Sequence, residues 1–298
     1  MDAAKHGVVA GYDGSVTAQR ALDWAIGEAR ARRTVLTVCH AWHIPYPGMM
    51  MPSAQGIQDA ASLVLTEAVQ RVKETAPELE VRPMLVCGSA TQTLLDFGAG
   101  AQLVVVGTHG LGGVREFMLG SVSAQLAVHS RCPVVVVRGE ENPSPEYYPG
   151  RIVVGVDGSA ASEAALEFAF QEAESRELPL SAVCVWNRAI TKDAVGMPYV
   201  GSAELRDFAM ERFHAALDEW HRKYPGVQVH REFVEVPGDV PVLEGLLGAA
   251  PAARLLVVGS RGIGAARGRL HGSVSQGVLH HAPCPVAVVH APERIEPS

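Results

Sequence analysis

Lysine is nearly absent from this chain: Lys5, Lys73, Lys192 and Lys223 are its whole complement. None lies in a glycine-rich segment and no Gly-x4-Gly-Lys-Ser/Thr run occurs. That excludes a P-loop NTPase, in which this ammonium holds the β- and γ-phosphates. An excess of positive charge is missing as well. Lys and Arg total 25 against 32 Asp and Glu, for a net charge of −7 and a pI near 5.9. Neither half carries a basic run, which argues against a dedicated nucleic-acid or anionic-membrane binder. Apolar runs stay short, Val134–Val137 being typical, where a membrane span needs roughly 18 residues or more. The start, Met1 to His6, shows no long apolar segment or small-residue cleavage site. The expectation is a soluble cytoplasmic protein without nucleic-acid or membrane partners.

Signs of covalent or metal chemistry are also missing. The five cysteines are odd in number, and no pair has CxxC spacing. Cys39, Cys132, Cys184 and Cys284 sit in or beside apolar runs, so buried reduced thiols are expected rather than disulfides or metal ligands. No Gly-x-Ser-x-Gly elbow, HExxH or paired-carboxylate constellation stands out. His40, His129, His290 and the pair His280-His281 fall near expected element ends, where structural or surface roles suffice. No catalytic residue and no metal site is expected, and any hydrolysis would be slow.

What is present is an internal duplication. Val9-Ala10-Gly11-Tyr12-Asp13-Gly14-Ser15 returns as Val153-Val154-Gly155-Val156-Asp157-Gly158-Ser159, an offset of 144. Leu103 to Gly110 returns as Leu255 to Gly262, Gly120-Ser121-Val122-Ser123 as Gly272-Ser273-Val274-Ser275, and Cys132-Pro133-Val134 as Cys284-Pro285-Val286, all at 152. The change of offset places insertions in the second copy between its first and fourth strands. Residues 140–150, with three prolines and a glycine, read as a linker between domains 1–139 and 151–298.

Each copy alternates short β-branched runs with longer helical patterns. In the first, a strand over Val8–Tyr12 leads to a helix over Val16–Arg32, with Ser15 as N-cap and Ala18, Leu22, Ala25, Ile26 and Ala29 on one face. Its counterpart runs Ala160–Arg176. Further strands are expected at 34–41, 81–86, 103–106 and 134–137, and at 180–186, 227–234, 255–258 and 286–289. Near-continuous Val/Leu runs indicate strands covered on both faces. Five strands with interleaved helices in each half make two tandem doubly wound parallel-sheet α/β domains, Rossmann-like and expected in the flavodoxin-type strand order.

Glycine and small polar residues concentrate after the first and fourth strands, where open parallel sheets bind ligands. The first copy reads Gly107-Thr108-His109-Gly110-Leu111-Gly112-Gly113, then Gly120-Ser121; the second reads Gly259-Ser260-Arg261-Gly262-Ile263-Gly264, then Gly272-Ser273. The shared spacing, Gly-x2-Gly-x9-Gly-Ser, suits an anion cradle built from backbone amides at a helix start, to which Ser121 and Ser273 would add a hydroxyl. Asp13 and Asp157, just past the first strands, are better placed to accept from a base amino group or ribose than to approach phosphate. Within the loops the first copy offers His109 and Arg115, the second Arg261, Arg267 and Arg269 with His271. The extra guanidinium groups favour a triphosphate in the second site. The Pro-rich segment 44–52, with Met49-Met50-Met51, and its echo at Met197 read as a plain loop, or as a lid or interface.

Both copies resemble the universal stress protein family, in the tandem form common in actinobacteria, over nearly the whole chain. The resemblance implies ATP, with or without Mg2+, held between the first turn (Gly11, Asp13; Gly155, Asp157) and the glycine loop of each copy. It implies backbone at Ala41 and Val185 flanking adenine. The phosphates would fall to Gly107, Thr108, His109, Gly110, Gly113, Gly120, Ser121, Val122 and Ser123, and to Gly259, Ser260, Arg261, Gly262, Gly264, Gly272, Ser273, Val274 and Ser275. It further implies a regulator of stress response, dormancy or growth. The Val-rich closing strands suggest pairing of halves or a homodimer with further protein partners. A slow ATP hydrolase or adenylyl-transferring enzyme, and a scaffold with degenerate sites, stay open as alternatives.

Overall fold

The computed structural model describes residues 6–43, 53–110, 119–138, 150–188, 202–251, 253–260 and 272–291. The chain divides into two compact units, Met1–Tyr147 and Tyr148–Ser298. Apart from Gly150, the expected linker lies outside the described residues, as do Met49–Met51 and Met197.

The first unit runs β1 (Val8–Gly11), α1 (Val16–Ala31), β2 (Leu36–Trp42), α2 (Ala54–Thr75), β3 (Val81–Cys87), α3 (Ala90–Gly98), β4 (Leu103–Gly107), α4 (Ser121–His129) and β5 (Val134–Val137). The second repeats it as β6 (Ile152–Gly155), α5 (Ala160–Ser175), β7 (Leu180–Asn187), α6 (Ser202–Lys223), β8 (Val229–Val236), α7 (Val242–Gly248), β9 (Leu255–Gly259), α8 (Ser273–His281) and β10 (Val286–Val289). Within each unit the strands are parallel. The order is β3-β2-β1-β4-β5 in the first and β8-β7-β6-β9-β10 in the second.

This is the Rossmann-type order, not the expected flavodoxin-type one, in which the first strand would lie between the second and third. The reason is chemical. β3 carries exposed Arg82 and Pro83, and a proline without an N–H belongs on an outer strand. β4 is buried from Leu103 to Val106 and takes the inner place beside β1, with Val8 opposite Leu103. β8 and β9 divide the same way, exposed His230 and Arg231 going to the rim.

In the first unit α1 and α2 cover one face and α3 and α4 the other; α5 with α6, and α7 with α8, do the same in the second. Ser15 caps α1 by accepting from the Ala18 N–H, and Ser159 caps α5 by accepting from Ser162 N–H. The residue before each cap, Gly14 or Gly158, has φ of +83° or +78°, a left-handed turn that suits glycine. The expected apolar stripe of α1 is buried throughout, as is that of α5 from Ala165 to Ala173. Each helix also buries an i,i+4 ion pair, Glu28–Arg32 at 3.3 Å and Glu172–Arg176 at 3.0 Å. The Phe170, Trp220 and Tyr224 rings stack between α5 and α6. Among the described residues no helix is long and apolar enough to cross a membrane.

Candidate functional site

Strand order reverses between β1 and β4, because the chain leaves β1 toward β2 and returns through α3 to the other side. A crevice opens there beyond the carboxyl ends of the strands. In the first unit it is a cavity of about 420 Å³.

The floor is apolar. Gly11, Cys39, Ala41, Leu94 and Val106 line it, and Gly11 lies so close that a Cβ would meet Leu94 at 2.9 Å and Val106 at 3.0 Å. Burial pushes the Cys39 thiol up to about 12, so it lines the cavity as a neutral group rather than a nucleophile.

One wall is the turn after β1. Asp13 Oδ1 accepts from the Ser15 N–H at 3.0 Å, which holds the carboxylate against the cleft. Its Oδ2 fills the space where a side chain at Gly110 would stand, so any side chain at 110 would have to displace the Asp13 carboxylate.

The opposite wall is the glycine loop and the start of α4. Gly107 backs onto the first turn of α1, where a Cβ would lie 2.8 Å from the Thr17 carbonyl carbon. Gly120 is the N-cap of α4 with no side-chain cap and no acidic residue in the following turn, so the positive end of the helix faces the cavity uncompensated. His109, Gly110, Gly120, Ser121 and Val122 all line it.

Ser123 lines the cavity as well. Its hydroxyl is buried and donates to the carbonyls of Thr108 and Gly120, each at 2.9 Å. With its single proton so engaged, the hydroxyl clasps the loop to the helix, and it is the backbone N–H of Ser123, in the uncapped first turn of α4, that can meet an anion. Thr108 is likewise buried behind the loop. Its carbonyl also accepts the Gly120 N–H, and its hydroxyl lies 3.0 Å from His109 Nδ1. Gly113 lies outside the described residues.

The described residues of the second unit repeat the framework of this site. Asp157 Oδ1 accepts from the Ser159 N–H at 2.9 Å, and Gly259 approaches the Ala161 backbone as closely as Gly107 does Thr17. Buried Ser275 donates to the carbonyls of Ser260 at 3.2 Å and Gly272 at 3.0 Å, so Ser260 and Ser275 are also clasp residues. Gly272 caps α8, whose first turn holds Ser273 and Val274. Gly155 ends β6, with the tip of Leu246 3.2 Å from where its Cβ would stand. Burial, then the nearby Asp157 carboxylate, push the Cys184 thiol up to about 11. Val185 stands where the first unit has Ala41, and packs where a side chain at Gly245 would be. Arg261, Gly262 and Gly264, with Arg267, Arg269 and His271, lie outside the described residues, as does Arg115.

Sequence reasoning missed Cys39, Ala90 and Leu94 on the cavity wall. Cys39 was readable, since alternation in β2 puts it on the face of Ala41. Ala90 and Leu94 were not, because only the packing of α3 brings them there.

A sequence model of the Universal stress protein family matches residues 6–138 and 149–290, one copy in each unit. A universal stress protein of Mycobacterium tuberculosis is 34% identical over 294 residues, covering 95% of this chain and 97% of the relative. One of Mycolicibacterium smegmatis is 32% identical over 305 residues, covering 97% and 98%. The crystal structure of a universal stress protein from Archaeoglobus fulgidus superposes with a TM-score of 0.70 at 20% identity, covering 98% of each chain, which shows the shared fold. The repeated framework, the two family matches and the full-length relatives agree, and the chain belongs to the universal stress protein family.

Proposed function

We infer that the chain binds ATP in its two repeated clefts and acts in the cytoplasm as a regulator of stress response, dormancy or growth, with nucleotide occupancy rather than turnover as its output. The observation that carries this reading is the first cleft itself. An apolar floor, a fixed carboxylate and an uncapped helix start converge on one cavity of about 420 Å³, inside the roughly 300–1,000 Å³ range of small-molecule sites. A nucleoside fits the apolar end, its base beside Ala41 and a ribose hydroxyl or base amino group donating to Asp13. The phosphates then reach the amides of Gly110, Ser121 and Val122, where the helix dipole favours negative charge.

Binding without turnover is supported by how the polar groups are used. Ser123 and Thr108 hold backbone, and His109, the one imidazole among the described lining residues, sits against the Thr108 hydroxyl. Among the described residues no group of three His, Cys, Asp or Glu is placed to hold a metal, so Mg2+ would enter on the nucleotide. Loop order set by occupancy would then bias contacts with a second copy or another protein.

Mass spectrometry of the supernatant from denatured, freshly purified protein tests the reading, with ATP titrated calorimetrically into nucleotide-free protein. Bound ATP and no sustained phosphate release are expected. Protein that is empty and takes up no added ATP overturns the reading, and sustained release of phosphate would turn it into a hydrolase. Sedimentation velocity with and without ATP reads the homodimer.

A further inference from the structure

His40 stands on β2 between Cys39 and Ala41, two residues of the cavity floor. Alternation turns its side chain to the other face of the strand, the one that α2 covers. There the imidazole Nδ1 lies 2.7 Å from the carbonyl oxygen of Tyr12, the residue between the end of β1 and Asp13. A carbonyl only accepts, so Nδ1 carries the proton and donates. Tyr12 is held at two further points. Its N–H donates to the Cys39 carbonyl at 2.9 Å, and its hydroxyl reaches Glu67 of α2 at 3.5 Å. The Tyr12 carbonyl and the Asp13 nitrogen share one planar unit, so the grip of His40 also sets the plane from which Asp13 reaches the cleft.

The direction of the β2 main chain shows what this grip prevents. The Val35 and Cys39 carbonyls accept from Val8 and Tyr12 on the β1 side, whereas Leu36 donates to Glu80 and Trp42 accepts from Gly88 on the β3 side. Odd-numbered residues thus direct their main-chain groups toward β1 and even-numbered ones toward β3. Ala41 is odd-numbered, and β1 ends at Gly11, opposite Cys39. The next rung of a continuing ladder would be the Ala41 N–H donating to the Tyr12 carbonyl. The imidazole holds that carbonyl instead, and the Ala41 amide is left toward the cavity that Ala41 lines.

We propose that His40 is a positioning residue for the nucleoside end of the first cleft: by occupying the Tyr12 carbonyl it keeps the Ala41 amide open to an acceptor nitrogen of the base, and it sets the plane that carries Asp13. A donor that needs no rearrangement meets its acceptor with less ordering cost. This rests on the ATP reading above, in which the base lies beside Ala41.

The test uses isotope-labelled full-length protein, read by NMR at the Ala41 amide, with the Val185 amide of the second unit as control. His40→Leu puts a methyl group where Nδ1 stands, and His40→Asn returns an N–H to that place. In ligand-free wild type the Ala41 amide is expected to exchange rapidly with solvent. In His40→Leu the Tyr12 carbonyl takes that amide, exchange slows by about tenfold, and adenosine and ATP bind the first cleft about tenfold more weakly, the worth of one hydrogen bond. His40→Asn restores both readings, and the Val185 amide keeps its behaviour throughout. Where His40→Leu does not fold, His40→Cys, which copies Cys184 at the matching place of the second unit, replaces it. A histidine that merely held the strand together would quicken exchange at Ala41 when removed. Quicker or unchanged exchange, unchanged affinity, or failure of His40→Asn to restore binding overturns the proposal while the ATP reading stands. Wild-type protein that binds no ATP overturns both.

Discussion

The carboxylate of Asp13 occupies the volume that a side chain at Gly110 would need. Two segments nearly a hundred residues apart in sequence thus interlock across the cleft, each defined by what the other lacks. Gly110→Ala should push Asp13 off its place and weaken ATP binding by about tenfold. Thermal stability should hardly move, since Gly110 sits at the partly exposed rim. Calorimetric titration paired with a melting curve checks both halves.

Ser123 and Ser275 are expected to matter for stability. Each buried hydroxyl donates to two carbonyls at the base of its loop. Replacing either by alanine should lower unfolding free energy by about 1 kcal/mol, because the Thr108 and Ser260 carbonyls keep the Gly120 and Gly272 amides. Urea denaturation of the single variants measures this.

The twin ion pairs of α1 and α5 predict a larger effect. Glu28 is 1% exposed and Glu172 2%. Arg32→Met or Arg176→Met removes a guanidinium from a buried carboxylate and should destabilise by about 3 kcal/mol. Changing the Glu to Gln in the same chain should recover much of that loss. Equal stability of Arg32→Met and wild type would show the pair to be inert.

Alkaline pH should destabilise the protein through buried Cys39 and through Cys184, which is half-buried rather than buried as its apolar surroundings in sequence suggested. Cys39 is held up to about 12 and Cys184 to about 11, above the ordinary 9.0. Below pH 9 folded and unfolded thiols are both protonated and the full stability is present. As pH rises from 9 toward 12 the unfolded thiol ionises first, and stability falls by up to about 1.4 kcal/mol per pH unit per thiol. Cys39→Val, which copies Val183 of the second unit, should flatten this fall. Circular dichroism melts between pH 8 and 11 read the difference.

Much of this was legible in the residues. Ser15 and Ser159 announce helix starts, the Ala/Leu stripe of α1 announces a buried face, and the repeat announces two units. The strand order was also written there, in Pro83 and Arg82, but only to a reader who asks which strand tolerates a missing N–H. The clasp was not legible: nothing in the sequence shows that the Ser123 hydroxyl turns to the Thr108 and Gly120 carbonyls, because direction comes from packing. His40 was hidden for the same reason. Its partner is a carbonyl, which carries no side-chain signature, and only the folded sheet brings residue 40 to residue 12.

Pro83 sits midway along β3, opposite Val38, on the rim of the first unit. Lacking an amide hydrogen there, that rim is a poor template for an incoming strand, whereas β8 keeps Arg231 in the matching place and a full set of donors. Newly synthesised chains crowded together would therefore cross-associate more readily through β8 than through β3.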